Sequence, residues 1–203
     1  MTSHPPTENQ VTDASTRPAE ARVVLDDVGI RRALMRIAHE IVERNDELEG
    51  LYLVGVPNGG VPLARELAGN LENLAGAKLA VGILDTTLYR DDLVGSGERP
   101  ALRRTEMPSA VDDRIVVLVD DVASTGRTVR AAMDALMDFG RPRSVQVVAL
   151  IDRGHRELPI RIDYVGKNIP TNRDERVKLR GVEGPLDWPL EVVVLGREGG
   201  DTE

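Results

Sequence analysis

The sequence predicts one α/β domain, a mostly parallel central sheet flanked by helices. Three observations carry this expectation. Short apolar runs alternate with stretches of helical periodicity, the pattern of strand–helix–strand units. Residues 115–119 (IVVLV) are apolar without alternation, as in a strand buried on both faces of a parallel sheet. That run leads through a loop of small residues directly into a helical pattern, and the carboxyl ends of strands are where open α/β sheets bind ligands.

The domain is expected to span residues 23–197. Residues 1–22, rich in Pro, Thr, Ser and Glu, read as a disordered extension, and residues 198–203 as a flexible end. Asp26 or Asp27 can cap a first helix in which Ile30, Leu34, Ile37, Ile41 and Val42 recur at helical spacing. Residues 51–56 read as a strand, 57–60 (PNGG) as a turn, and 61–74 as a second helix with Leu63, Leu67, Leu71 and Leu74 on one face. Residues 78–85 read as the next strand. The stretch 90–108 is polar and interrupted by Gly95, Gly97, Pro100 and Pro108, which suggests a long mobile loop. A helix is expected over 128–139, closed by Gly140 with Pro142 just beyond. Strands are expected at 145–151 and 160–165, and residues 177–179 and 192–195 can pair as a hairpin.

Composition narrows the function. A chain of 203 residues suits one well-buried domain better than two. With no cysteine, disulfides, cysteine-ligated zinc and thiol catalysis are excluded. The 3 histidines are too few for a rich imidazole site, so any metal is expected to be oxygen-ligated, with magnesium the leading candidate. A net charge of −8 argues against indiscriminate nucleic-acid binding but leaves room for a local basic face. No apolar run reaches membrane-spanning length and the N-terminus lacks an apolar stretch, so the chain reads as cytoplasmic, with no membrane partner.

The strongest signal is VVLVDDVASTGRT at residues 116–128. Val116, Val117, Leu118 and Val119 form the strand; Asp120 and Asp121 close it; Val122, Ala123 and Ser124 lead into Thr125, Gly126, Arg127 and Thr128 at a helix start. The last four supply backbone N–H groups and two hydroxyls at the positive end of a helix, an arrangement suited to a phosphate. Gly126 permits close backbone approach. Two carboxylates would repel that phosphate, so Asp120 and Asp121 fit instead as acceptors for two sugar hydroxyls, directly or through magnesium. Neither G-x-x-x-x-G-K nor G-x-G-x-x-G is present.

This segment resembles the phosphoribosyl-pyrophosphate (PRPP) motif of type I phosphoribosyltransferases. Further stretches resemble the PyrR family of pyrimidine-operon regulators: IRRALMRIAHEIVERN (30–45), TLYRDDL (87–93), TVRAAMDALMDFGRPR (128–143) and DRGHRELPIRIDYVGKNIPT (152–171). The resemblance implies the type I phosphoribosyltransferase fold with a small hood. It also implies magnesium-assisted uracil phosphoribosyltransferase activity, and binding of pyrimidine-operon leader mRNA in response to UMP or UTP. A homodimer or homotetramer is expected. By the same resemblance, Asp120, Asp121 and Arg90 serve catalysis, Asp120 and Asp121 carry the metal, and Asn58, Gly59 and Gly60 join the PRPP loop. Asp152, Arg153, Tyr164, Val165 and Gly166 are expected to hold uracil.

The expected RNA face is partly derivable. Arg32, Arg36 and His39 fall on one side of the first helix, away from its apolar residues, with Arg44 a turn further on. His155, Arg156, Arg161 and Lys167 form a second basic group, which the resemblance places on the same surface. A basic stripe by itself is an ordinary solvated face.

The sequence departs from the family pattern near the catalytic pocket. Asn58-Gly59-Gly60 stands where the family has Thr-Arg-Gly, so a charge-assisted pyrophosphate contact is absent. Ala123 and Ser124 replace a leucine and an aromatic residue, and Thr86 replaces an isoleucine. Residues 184–189 (GPLDWP) match nothing in the pattern. Three readings follow: a bifunctional enzyme and regulator; an RNA-binding, nucleotide-sensing regulator with little or no transferase activity; or a transferase for another base with no RNA role.

Overall fold

Alternate side chains of the long strand Ile115–Ala123 enter two different apolar layers, and this divides the molecule. Val117 and Val119 join Leu51 and Leu53 in one cluster, while Val116 and Leu118 join Tyr52 and Val54 in another. The computed structural model describes residues 21–57, 59–76, 78–91, 104–182 and 189–196. Their order is β1 (Ala21–Leu25), α1 (Asp27–Arg44), β2 (Leu51–Gly55), α2 (Gly60–Ala75), β3 (Val81–Ile83), β4 (Ile115–Ala123), α3 (Arg127–Leu136), β5 (Ser144–Asp152), β6 (Tyr164–Asn168), β7 (Arg176–Arg180) and β8 (Glu191–Leu195).

A five-stranded sheet, β3-β2-β4-β5-β6, is parallel throughout. Helices α1 and α2 cover one face through Ile30, Leu34, Ile37, Ile41, Leu63, Leu67 and Leu71, and α3 covers the other through Ala132, Ala135 and Leu136. Asp26 caps α1, accepting the Gly29 N–H at 2.8 Å. Gly76, at φ +68°, ends α2 and returns its N–H to the Glu72 carbonyl at 2.8 Å. Among the described residues no helix is long and apolar enough to cross a membrane.

Expected and observed elements differ in several places. The strand expected over 78–85 is only Val81–Ile83, the stretch that pairs with Leu53–Gly55 of β2. The strand expected over 160–165 begins later, at Tyr164. Before it, the Ile160 carbonyl is taken by Arg156 and the Val147 N–H by the Asp163 carboxylate, so the ladder with β5 starts at Val148 and Tyr164. Helix α3 stops at Leu136 and tightens into a 3₁₀ turn, Met137–Phe139, before Gly140.

Residues 177–179 and 192–195 do pair, as the antiparallel strands β7 and β8, and β1 adds to the far side of β8. This small sheet, β1-β8-β7, packs Val192, Val194 and Leu179 into the core of the larger one. Tyr164, Val165 and Gly166, expected to hold uracil, lie on β6, the edge strand of the main sheet.

Candidate active site

The main sheet delivers three loops to one edge: those after β2, β4 and β5. Register fixes the neighbours, with Gly55 beside Val119 and Asp152 beside Ala123. Gly60 lets the first turn of α2 lie directly on β4; a Cβ there would stand 2.1 Å from the Val119 carbonyl oxygen. Gly59 lies against Asp121, whose Oδ2 would be 2.5 Å from a Cβ at that position. Asn58 lies outside the described residues.

Asp120 is 7% exposed. Its Oδ1 accepts the Asp121 N–H and Asp121 Oδ1 accepts the Val122 N–H, each at 3.0 Å. Burial, then the adjacent Asp121 charge, hold the Asp120 carboxyl well above the usual carboxylate range, and Arg90 opposes this only in part. The Arg90 side chain, expected to serve catalysis, lies close enough to Asp120 to act on its charge.

Beyond the acids, Gly126 takes φ +92° and opens α3, and as the N-cap residue it has no side chain to offer. The Thr125 hydroxyl accepts the Arg127 N–H at 3.3 Å, and the rest of the first turn presents its free amides and the positive end of the helix dipole. Arg127 turns away from the loop, pairing with Glu157 at 2.9 Å and Asp91 at 2.8 Å. No feature of the sequence marked Glu157 or Asp91, because the contact joins residues far apart in the chain.

Residues 24–181 match the phosphoribosyl transferase domain. The chain is 57% identical to the bifunctional protein PyrR of Pelotomaculum thermopropionicum, over 87% of this chain and 96% of that one. The chain belongs to the PyrR family. Other PyrR relatives are those of Geobacter sulfurreducens (54% identical, 85% of this chain, 99% of that one) and Deinococcus radiodurans (55%, 80% and 88%). The hypoxanthine phosphoribosyltransferase of Trypanosoma cruzi shares the fold, with TM-score 0.67 at 22% identity, covering 90% of this chain and 94% of that one.

The remaining site candidates are dispersed in role. Tyr164 is 3% exposed; its hydroxyl donates to Gln146 at 2.8 Å, so the ring is part of the core. The Val165 and Gly166 carbonyls accept from Arg36 at 2.9 and 2.7 Å. Asp152 ends β5 and takes Arg156 on both oxygens, at 3.1 and 2.6 Å. Arg153 donates to the Asn172 carbonyl at 3.0 Å.

Of the basic residues, Arg36 and Arg44 on α1 contact residues at or beside β6, the strand that carries Lys167. Arg36 reaches Val165 and Gly166, and Arg44 pairs with Asp163 at 2.8 Å with its guanidinium 5.5 Å from the Tyr164 ring centre. Lys167 donates to the Val24 carbonyl and the His155 ring contacts the Thr171 carbonyl. Arg32, His39 and Arg161 are exposed and form no hydrogen bond or ion pair among the described residues.

Proposed function

We propose that the chain is a PRPP-dependent uracil phosphoribosyltransferase that also binds pyrimidine-operon leader mRNA under the control of UMP or UTP. The observation that carries this reading is the acid pair near the end of β4, followed by the left-handed Gly126 that opens α3, in a chain 57% identical to a PyrR protein. In the reaction, uracil N1 forms a bond to ribose C1 as the bond to the diphosphate oxygen breaks, and the N1 proton is released. The sugar becomes cation-like in between, so carboxylates near the ring lower the barrier.

In this reading the amides and hydroxyls of Thr125–Thr128 hold the 5′-phosphate, and Asp120 and Asp121 accept the ribose hydroxyls. Arg90 neutralises the departing diphosphate. Uracil lies at the β5–β6 edge by Asp152, Arg153 and the backbone of Val165 and Gly166, while Tyr164 serves by holding β6 in place. Among the described residues no three His, Asp or Glu side chains could together hold a metal ion. Two carboxylates at the site suit magnesium, which keeps waters and substrate phosphates as its other ligands. When bound, the ion would offset diphosphate charge.

Exposed cations without internal partners, Arg32, His39 and Arg161, support a phosphate-binding face around α1 and β6. Exposed Leu88, Met137 and Phe139 suit burial in a homodimer or homotetramer. A second reading, a nucleotide-sensing regulator with little transfer, is favoured by one observation: Asp121 fills the space a side chain at Gly59 would need. Incubation with PRPP, magnesium and labelled uracil separates the two. UMP formation is expected; its absence, with PRPP still bound, would rule out uracil transfer, and leader-RNA binding would then separate the second reading from a transferase for another base.

A further inference from the structure

We infer that residues 153–158 are the outer wall of the phosphate loop, and that Arg156 is a positioning residue for 5′-phosphate binding. The inference rests on the proposed PRPP site. Three consecutive carbonyls of the loop are all taken by this short stretch. Ala123 accepts the Arg153 N–H at 3.0 Å, and Thr125 accepts the N–H groups of Glu157 and Leu158 at 3.0 and 3.1 Å. Between them, the Ser124 carbonyl accepts Arg156 Nη1 at 2.5 Å.

A peptide unit is planar and trans, so its N–H points opposite to its C=O. Fixing the carbonyls of Ala123, Ser124 and Thr125 outward therefore turns the amides of Ser124, Thr125 and Gly126 inward. Those three amides have no partner among the described residues. Together they form a concave set of donors that is aimed before the anion arrives, which saves the cost of ordering them on binding.

Three of the four outer contacts are backbone N–H groups and would survive any substitution. Arg156 is the exception. Its guanidinium spans both oxygens of Asp152, the Ser124 carbonyl and, through Nε, the Ile160 carbonyl at 3.1 Å. A planar fork with five donors can hold all of these at once; a lysine ammonium cannot. Arg156 thus ties the phosphate loop to the end of β5. A residue kept only for RNA contact would not need its guanidinium turned inward.

The test compares UMP with uridine, whose difference in affinity reads the 5′-phosphate alone. Calorimetry without RNA is expected to show Arg156→Ala weakening UMP by about tenfold more than it weakens uridine, the loss of one positioned phosphate contact. Arg156→Lys should fall between the two proteins, and serves as the measurement if the alanine variant does not fold by thermal melt. Equal weakening of UMP and uridine would make the residue merely structural and overturn the inference. So would UMP affinity that is unchanged in the folded variant. Wild-type protein that binds UMP no better than uridine would remove the phosphate loop itself, and the proposed function with it.

Discussion

Replacing Gly59 by alanine is expected to disable the acid pair with a single methyl group. A Cβ at that position would sit 2.5 Å from Asp121 Oδ2 and 2.6 Å from its Cγ and Cβ. Unbonded carbon atoms rest at about 3.5–4.0 Å. Because the Cβ of Asp121 is itself in the way, a small swing of the carboxylate does not relieve the overlap, and the side chain must leave its place. Leaving breaks the 3.0 Å hydrogen bond to the Val122 N–H and withdraws a charged acceptor from the ribose. A hydrogen bond to a charged group is worth about 1.5–3 kcal/mol, so PRPP affinity should fall roughly 10- to 150-fold. Calorimetry with PRPP and magnesium reads this directly, and the KM for PRPP should rise in step. Gly59→Arg carries the same overlap but adds a guanidinium worth about 2–3 kcal/mol on the departing diphosphate, so it should transfer within about tenfold of the wild-type rate. Unchanged PRPP binding in Gly59→Ala would refute the argument. A gain of more than about 30-fold in Gly59→Arg, beyond what the gain minus the cost permits, would show that guanidinium and carboxylate fit together.

Three further outcomes are expected. Gly60→Ala meets main chain rather than a side chain, 2.1 Å from the Val119 oxygen, so urea unfolding should show overpacking of about 1–3 kcal/mol. Asp120 is held above its usual range, so the fold favours its neutral form: that contribution is complete below the unfolded value near pH 4 and is lost as pH rises through the raised folded value. Asp120→Asn cannot ionise, and its metal-free stability should gain on wild type by up to roughly 1.4 kcal/mol per pH unit across that window; a gap independent of pH would contradict it. Alanine at Arg32 and Arg161 should weaken leader-RNA binding and flatten its salt dependence by about 0.7 per lost single-strand contact, read by filter binding at several salt concentrations. Indifference to both substitutions would leave the chain without its proposed RNA face.

Main-chain regularities were legible in the residues. Unbroken apolar runs such as 115–119 predict two-faced burial, and Val116 through Val119 are all at most 1% exposed. The turn from β4 into α3 could be read for the same reason: glycine, hydroxyls and paired acids mark it in residue type and order. Residues 160–165 misled because Ile160 and Ile162 alternate like a strand; what displaced the ladder to Tyr164 was Arg156 and Asp163 capturing backbone groups on other segments. The third strand of the small sheet was missed because the partners, β1 and β8, come from opposite ends of the chain.

The arginines show most clearly what residue type alone leaves open. A cation in the sequence is a charge in search of an acceptor, and the most numerous acceptors are backbone carbonyls, which no sequence pattern marks. Arg36 and Arg156 share a basic group with Arg32 and Arg161 by spacing and exposure, yet the first two end on carbonyls of β6 and of the phosphate loop. Arg32 and Arg161 end on nothing among the described residues. The difference is one of geometry: Arg36 lies a turn beyond Arg32 on α1, within reach of the edge strand β6, whose Val165 and Gly166 carbonyls it takes. An RNA phosphate that draws Arg36 away must break those two hydrogen bonds, and a phosphate that binds Arg32 or Arg161 breaks none among the described residues. Alanine at Arg32 should therefore change RNA affinity alone. Alanine at Arg36 should also lower folding stability, by about 0.5–1.5 kcal/mol for each net hydrogen bond lost. Equal melting temperatures for the two variants would show that the carbonyl contacts of Arg36 contribute nothing to the fold.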